Sequence, residues 1–200
     1  MAAVVVSVVH VARGAWHGDR VVDGRTVPQV TAFLFHGGGH ENPRALAANA
    51  ERSFVGSYVL GMGFTFDDTD KQGVASPLAE MHRLIDKDPR NAQRIFPYIG
   101  GQEINTSPTH SHDRYVINFG DMDEAEARKW PDLMAIVEAS VKPERQLLGE
   151  NADARRRKER WWQWGRWTPA LDAAIAGLDR VLAIARVGQH GAFAALPACM

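Results

Sequence analysis

Residues 94–119 read RIFPYIGGQEINTSPTHSHDRYVINF, two short apolar runs held apart by a polar insert, and the rest of the chain is organised around them. The first run closes at Pro97 and turns at Gly100-Gly101. The second, residues 115–119, has the aromatic and β-branched composition of a strand. Paired glycines permit positive φ and close backbone approach, which predicts a tight turn. Between the two strands, residues 103–114 form a predicted loop crowded with Asn, Ser, Thr and His. Polar loops on a rigid scaffold commonly carry recognition, while ordinary turn chemistry accounts for the same residues.

A chain of 200 residues that is 45% hydrophobic can bury a substantial core, as one domain or one and a half. Its net charge of -1 excludes a global polycation. Charge is patterned locally instead. Residues 120–138 are acidic (Asp121, Asp123, Glu124, Glu126, Asp132, Glu138) and residues 155–166 basic (Arg155, Arg156, Arg157, Lys158, Arg160, Arg166). Such asymmetry fits a charged binding face and equally a solvated helix. The lone Cys199 excludes an intramolecular disulfide and a Cys-rich zinc site, and fits a reducing cytoplasm. The N-terminal AAVVVSVV is too short to span a bilayer and lacks a charged leader, so no membrane partner is expected. Its full apolar strength from the start, with the abrupt ALPACM ending, points to a piece of a longer chain.

Along the chain the expected elements alternate in type. Residues 3–11 read as a strand buried on both faces, and residues 27–35 as a second strand beside it, with Asp23-Gly24 a turn. A short helix is expected over 44–50, and a soft domain boundary near residue 50. Residues 54–66 read as one or two strands broken by Gly56, Gly61 and Gly63, which imply bulges or close approach by another backbone. Ser76-Pro77 starts a helix to about residue 86, with Glu80 near the capping-box position. Asp121 or Asp123 caps the next helix, Pro131 opens one over 132–141, and residues 145–164 read as one long helix. Thr168-Pro169 begins a helix to 176. Residues 180–186 and 192–196 are strands around a Gly-rich turn. The expected class is α+β, a mixed α/β chain of small sheets and helices.

Residues with chemical potential are few. His110-Ser111-His112-Asp113 has the look of a binuclear metal site, but Arg114 follows where another ligand belongs, and its cation repels a metal. Ser57 lacks the G-x-S-x-G setting of a nucleophile, and Asp67-Asp68 read most simply as turn caps. No catalytic residue and no metal ligand is assigned. Residues 160–167, RWWQWGRW, hold four of the six Trp interleaved with cations. Trp stacks on bases and Arg neutralises phosphate, and Trp also fills cores. Both are expected, with some Trp inside and the basic cluster outward.

The ordered blocks FPYIGGQEIN, RYVINFGDMDEAEARKWP, VKPER, WWQWG and RVLAIARVGQH before AFAALP, preceded by VVDGRTVPQVTAFLF, SFVGSYVLGMGFTF and VASPLAEMHRLIDKDPRNA, resemble the target-recognition region of MmeI-like (type IIL) restriction-modification enzymes. More broadly they are similar to the specificity domains of TaqI-like adenine-N6 DNA methyltransferases. The resemblance implies that residues 1–50 are the closing strands of a methyltransferase sheet. Residues 51–200 would then be a mixed sheet-and-helix recognition domain, cut short at its C-terminus. In such enzymes a methyl group passes from S-adenosylmethionine to an adenine flipped from duplex DNA. The N-P-P-[YF] loop, the Gly-rich cofactor loop and a nuclease cluster are missing here. The resemblance therefore implies no cofactor in this chain, an inactive isolated chain, and two partners, double-stranded DNA and the parent's methyltransferase domain.

Within that resemblance, Arg186, Gln189 and His190 are the expected base readers on a turn after a rigid strand, since Arg grips guanine and Gln adenine bidentately. Asn105, Thr109, His110 and His112 form a second reading element. Arg114, Arg155, Arg156, Arg157, Lys158 and Arg160 are expected at phosphates. Two alternatives stand beside this reading: a metal-dependent hydrolase built on His110, His112 and Asp113, and a protein-interaction module using the Trp-rich segment as a helix.

Overall fold

Asp23 and Gly24 form the expected turn in the computed structural model, which describes residues 11, 13–41, 47–188 and 191–198. Both take positive φ, 51° and 76°, as a two-residue hairpin of the Asp-Gly type requires. The turn joins β1 (Arg20–Val22) to β2 (Arg25–Val27), paired antiparallel with Val22 opposite Arg25. The strand expected over 27–35 is absent beyond Val27. Pro28 removes a ladder donor, and the Thr31 hydroxyl accepts from the Phe35 N–H at 3.2 Å, so local turns replace the strand. The strand expected at 3–11 falls almost wholly outside the described residues. Of the helix expected over 44–50, residues 44–46 lie outside them, and Ala47–Asn49 is a 3-10 turn. The chain divides into two units, Met1–Ala48 and Asn49–Met200.

The second unit is built on a three-stranded antiparallel sheet, with β5 (Arg114–Ile117) between β3 (Thr65–Phe66) and β4 (Ile95–Tyr98). Val116 faces Thr65 on one side and Phe96 on the other. Neighbours Val116 and Ile117 are both buried, as are Thr65 and Phe66, so the centre of the sheet is covered on both faces. Of the one or two broken strands expected over 54–66, one forms, the two-residue β3, directly after a 3-10 turn at Met62–Phe64. Gly63 carries out the close approach its sequence implied. A Cβ there would stand 2.5 Å from the Ser140 Cβ.

Helix α1 (Leu78–Lys87) buries Met81 and Leu84 and exposes Arg83. Its first N–H groups are not capped by Glu80, which pairs with Arg83 at 2.6 Å; Asp68 accepts from the Leu78 N–H at 2.8 Å instead. The Gly100-Gly101 turn is also corrected. Neither glycine takes positive φ, and they open a short helix, α2 (Gly101–Thr106), inside the expected loop. Glu103 reaches back to the Gly100 N–H at 2.8 Å, the return half of a capping box. Asp123 caps α3 (Glu124–Ala127), accepting from the Glu126 N–H at 2.8 Å, and α4 (Pro131–Ser140) begins at its proline.

The long helix expected over 145–164 is two short ones, α5 (Lys142–Gln146) and α6 (Ala152–Glu159). Asn151 restarts the helix by accepting from the Ala154 N–H at 2.9 Å, and the chain leaves helical geometry at Arg160. Helix α7 (Pro169–Ile175) and the antiparallel hairpin of β6 (Arg180–Ile184) and β7 (Phe193–Pro197) follow as expected. The chain is α+β, with small antiparallel sheets and several helices. Among the described residues no helix is long and apolar enough to cross a membrane.

Candidate nucleic-acid interface

The polar stretch after α2 is a tight chain of local hydrogen bonds. Thr109 Oγ1 lies 2.9 Å from Ser111 Oγ and 3.4 Å from Ser107 Oγ. His110 takes φ 50°, a left-handed conformation that His adopts more readily than most residues. Asn105 and Thr109 are exposed, and His110 and His112 half-buried. His112 meets Tyr115 edge to face at 5.1 Å, with Nε2 3.2 Å from the phenol oxygen. Among the described residues no three His, Cys, Asp or Glu side chains come together, so the metal-hydrolase alternative has no ligand cluster there.

Arg114 belongs to the floor of this region. Its Nη2 pairs with Glu103, its Nε lies 3.9 Å from buried Asp67, and its guanidinium stands 5.0 Å over the Tyr98 ring. Burial pushes the Tyr98 phenol above its usual pKa, opposed by the Arg114 charge. Two carboxylates and an aromatic face thus already hold Arg114, which leaves it less free for a phosphate than an exposed arginine. Glu103 and Tyr98 were not singled out from sequence. The Gly100-x-x-Glu103 spacing was the one signal, and it reads as a capping box only once a helix is known to start there.

The structure brings the second expected element to the first. Helix α2 packs on β6, and Asn105 Nδ2 donates to the Val187 carbonyl at 3.0 Å. Arg186, one residue earlier, is exposed and donates through Nη1 to the Tyr58 phenol at 2.9 Å. Gln189 and His190 lie outside the described residues. Tyr58 is a participant that sequence reading missed; a partner 128 positions away leaves no local trace.

In the comparisons with known proteins, no protein-family model and no curated protein sequence matches the chain. Among solved structures, the type IIL restriction-modification enzyme MmeI in complex with DNA is similar, with a TM-score of 0.44 and 16% identity. The match covers 72% of this chain and 18% of that one, so this chain spans under a fifth of MmeI. Likeness at that level leaves the functional reading to the residues themselves.

The basic segment divides into held and free cations. Arg156 donates to the Gly165 carbonyl, Arg157 pairs with Asp153 at 2.8 Å, and Lys158 pairs with Glu150. Arg155 and Arg160 are exposed, with no side-chain partner among the described residues. The Trp-rich segment beyond them is not a helix. Trp161 and Trp162 are buried, and the indole N–H groups of Trp162 and Trp164 donate to the Met122 and Ile117 carbonyls at 2.9 and 2.7 Å. Trp161 and Trp162 help close the core, and without a helix the interaction-helix alternative lacks its element.

A concavity of about 340 Å³ beside α7 is lined by Asp172, Ile175, Ala176, Gly177, Leu178 and Ala198. It offers one carboxylate and no aromatic face, which does not fit S-adenosylmethionine.

Proposed function

We propose that this chain is the DNA sequence-recognition segment of a bacterial, site-specific adenine-N6 methyltransferase of the type IIL restriction-modification kind. It binds duplex DNA and positions the target adenine for a catalytic part outside these residues. S-adenosylmethionine and the methyltransferase domain belong to that parent protein, and the setting is cytoplasmic. The observation that carries the reading is the exposed Arg186 guanidinium on the rim shared by the 105–112 segment and the β6 end, tied together by Asn105 and the Val187 carbonyl. The ordered sequence blocks support it. An arginine so placed can grip guanine O6 and N7, while Thr109, His110 and the residues after Val187 supply further donors and acceptors. Arg155 and Arg160 meet phosphates, which position the protein without reading sequence.

The test is selection of bound duplexes from a randomised pool, followed by sequencing. The wild-type chain is expected to enrich a defined sequence, and Arg186→Ala to lose the preference at one position, a discrimination of roughly 1–3 kcal/mol. Enrichment of nothing by the wild-type chain would sink the proposal.

A further inference from the structure

Tyr58 is fixed before its side chain reaches anything. Its N–H donates to the Arg166 carbonyl at 2.8 Å, and its own carbonyl accepts from the Arg166 N–H at 3.0 Å. The next residue, Val59, is buried, and its carbonyl accepts from the Gly165 N–H at 3.1 Å. The Leu60 carbonyl accepts from the buried Arg145 guanidinium at 3.1 Å. The phenol therefore projects from backbone with little freedom, and its oxygen accepts from Arg186 Nη1 at 2.9 Å. On the far side, Asn105 holds the carbonyl of Val187 at 3.0 Å. Arg186 is thus held twice, through its own side chain and through the backbone of its neighbour.

We infer that Tyr58 is a positioning residue for base reading by Arg186, an inference that rests on the proposed function above. A guanidinium has five N–H donors in a rigid fork, and Tyr58 engages one of them. The Nε and Nη2 edge has no partner among the described residues, and that edge matches guanine O6 and N7. An arginine on a long free side chain loses rotamer freedom when a base orders it; one already held by a fixed phenol loses less. Tyr58 also limits which base edge the fork can face. Its contribution should therefore appear as discrimination at one position rather than as general affinity.

The test compares the wild-type chain with Arg186→Ala and Tyr58→Phe in the same selection from a randomised duplex pool, with thermal melting of each variant and a salt titration. Tyr58→Phe removes only the hydroxyl. It is expected to melt like wild type and to reduce the preference at the position that Arg186→Ala erases, by about threefold to tenfold, the scale of one hydrogen bond. Preferences elsewhere and the salt dependence should not move. Full preference in Tyr58→Phe at that position would overturn the inference and leave base reading by Arg186 intact. A uniform loss at every position with a lowered melting temperature would assign Tyr58 a purely structural role and overturn it too. If Arg186→Ala keeps every preference and only flattens the salt dependence, Arg186 grips a phosphate. Base reading by Arg186 then fails, and the inference with it.

Discussion

Arg145 donates to the main-chain carbonyl of Trp161 at 3.2 Å while only 1% of its surface meets solvent. The same guanidinium reaches the carbonyls of Arg160, Gln163, Val59 and Leu60, and stands 5.1 Å over the Phe64 ring. Burial pushes its pKa down to about 10, so it remains charged at neutral pH. Replacing a buried ion pair by apolar side chains is often harmless, but main-chain carbonyls cannot be replaced. Arg145→Met is expected to strand them and cost roughly 3 kcal/mol or more. Arg145→Lys should recover little of that, since an ammonium has three donors and no planar fork. Urea unfolding measures both; a methionine variant as stable as wild type would show that the carbonyls do not depend on this residue.

Gly63 and Gly56 make a matched pair of tests. A Cβ at Gly63 would lie 2.5 Å from the Ser140 Cβ and 2.9 Å from Val141 Cγ2, both on helical backbone that packs against the 62–64 turn. Gly63→Ala is therefore expected to destabilise by about 1–3 kcal/mol through overpacking. At Gly56 a Cβ meets nothing within 4 Å and φ is not positive. Gly56→Ala should be neutral or raise stability by up to about 1 kcal/mol, through the unfolded chain. Thermal melting of the two variants checks the order, and equal effects would contradict this packing.

Local chemistry made part of this fold legible in the sequence. Asp23-Gly24, Asp123, Pro131 and Pro169 each act on neighbours within four residues, and each sits where its residue type requires. The failures are tertiary. The basic run 155–160 looks helical in both directions, and nothing in its periodicity says that Asn151 will restart the helix or that a lone Arg145 will draw 160–163 inward. In the candidate site, the 105–112 segment and the end of β6 were legible as polar tips after apolar runs. Their joining through Asn105 and Val187, 82 positions apart, was not. Tyr58 had no polar neighbourhood to mark it.

Acid should remove stability where carboxylates accept backbone donors, and only at low pH. Asp70 accepts from the N–H groups of Gln72, Val74 and Ala75 at 2.8–2.9 Å, and these bonds, led by Ala75, hold its pKa below the ordinary 3.8. A depressed folded-state value means that the stabilisation is fully present above about 3.8 and is lost as pH falls through the folded value. Asp88, bonded chiefly to Arg90, shifts the same way. Asp70→Ala is expected to melt below wild type at pH 7, with the gap closing as pH falls below 3.8. Melting curves across pH 2–7 measure it, and a constant gap would mean that ionisation of Asp70 does not matter.

The basic segment gives the sharpest test of phosphate binding, because its cations have different partners. Removing one cation from a phosphate should reduce the slope of log K against log salt by about 0.9 on duplex DNA. Arg155 and Arg160 are exposed without side-chain partners among the described residues, so Arg155→Gln with Arg160→Gln should lower the slope by about 1.8. Binding should weaken on every duplex alike, with no change in melting temperature. Arg156 holds the Gly165 carbonyl beside the buried Trp161 and Trp162, so Arg156→Gln should lower the melting temperature instead. Arg157 and Lys158 already neutralise Asp153 and Glu150, and replacing either should move the slope less than replacing Arg155. Fluorescence titration of a labelled duplex at several salt concentrations separates these cases. Equal slopes for the wild-type chain and the Arg155, Arg160 double variant would place the segment in solvent, away from DNA.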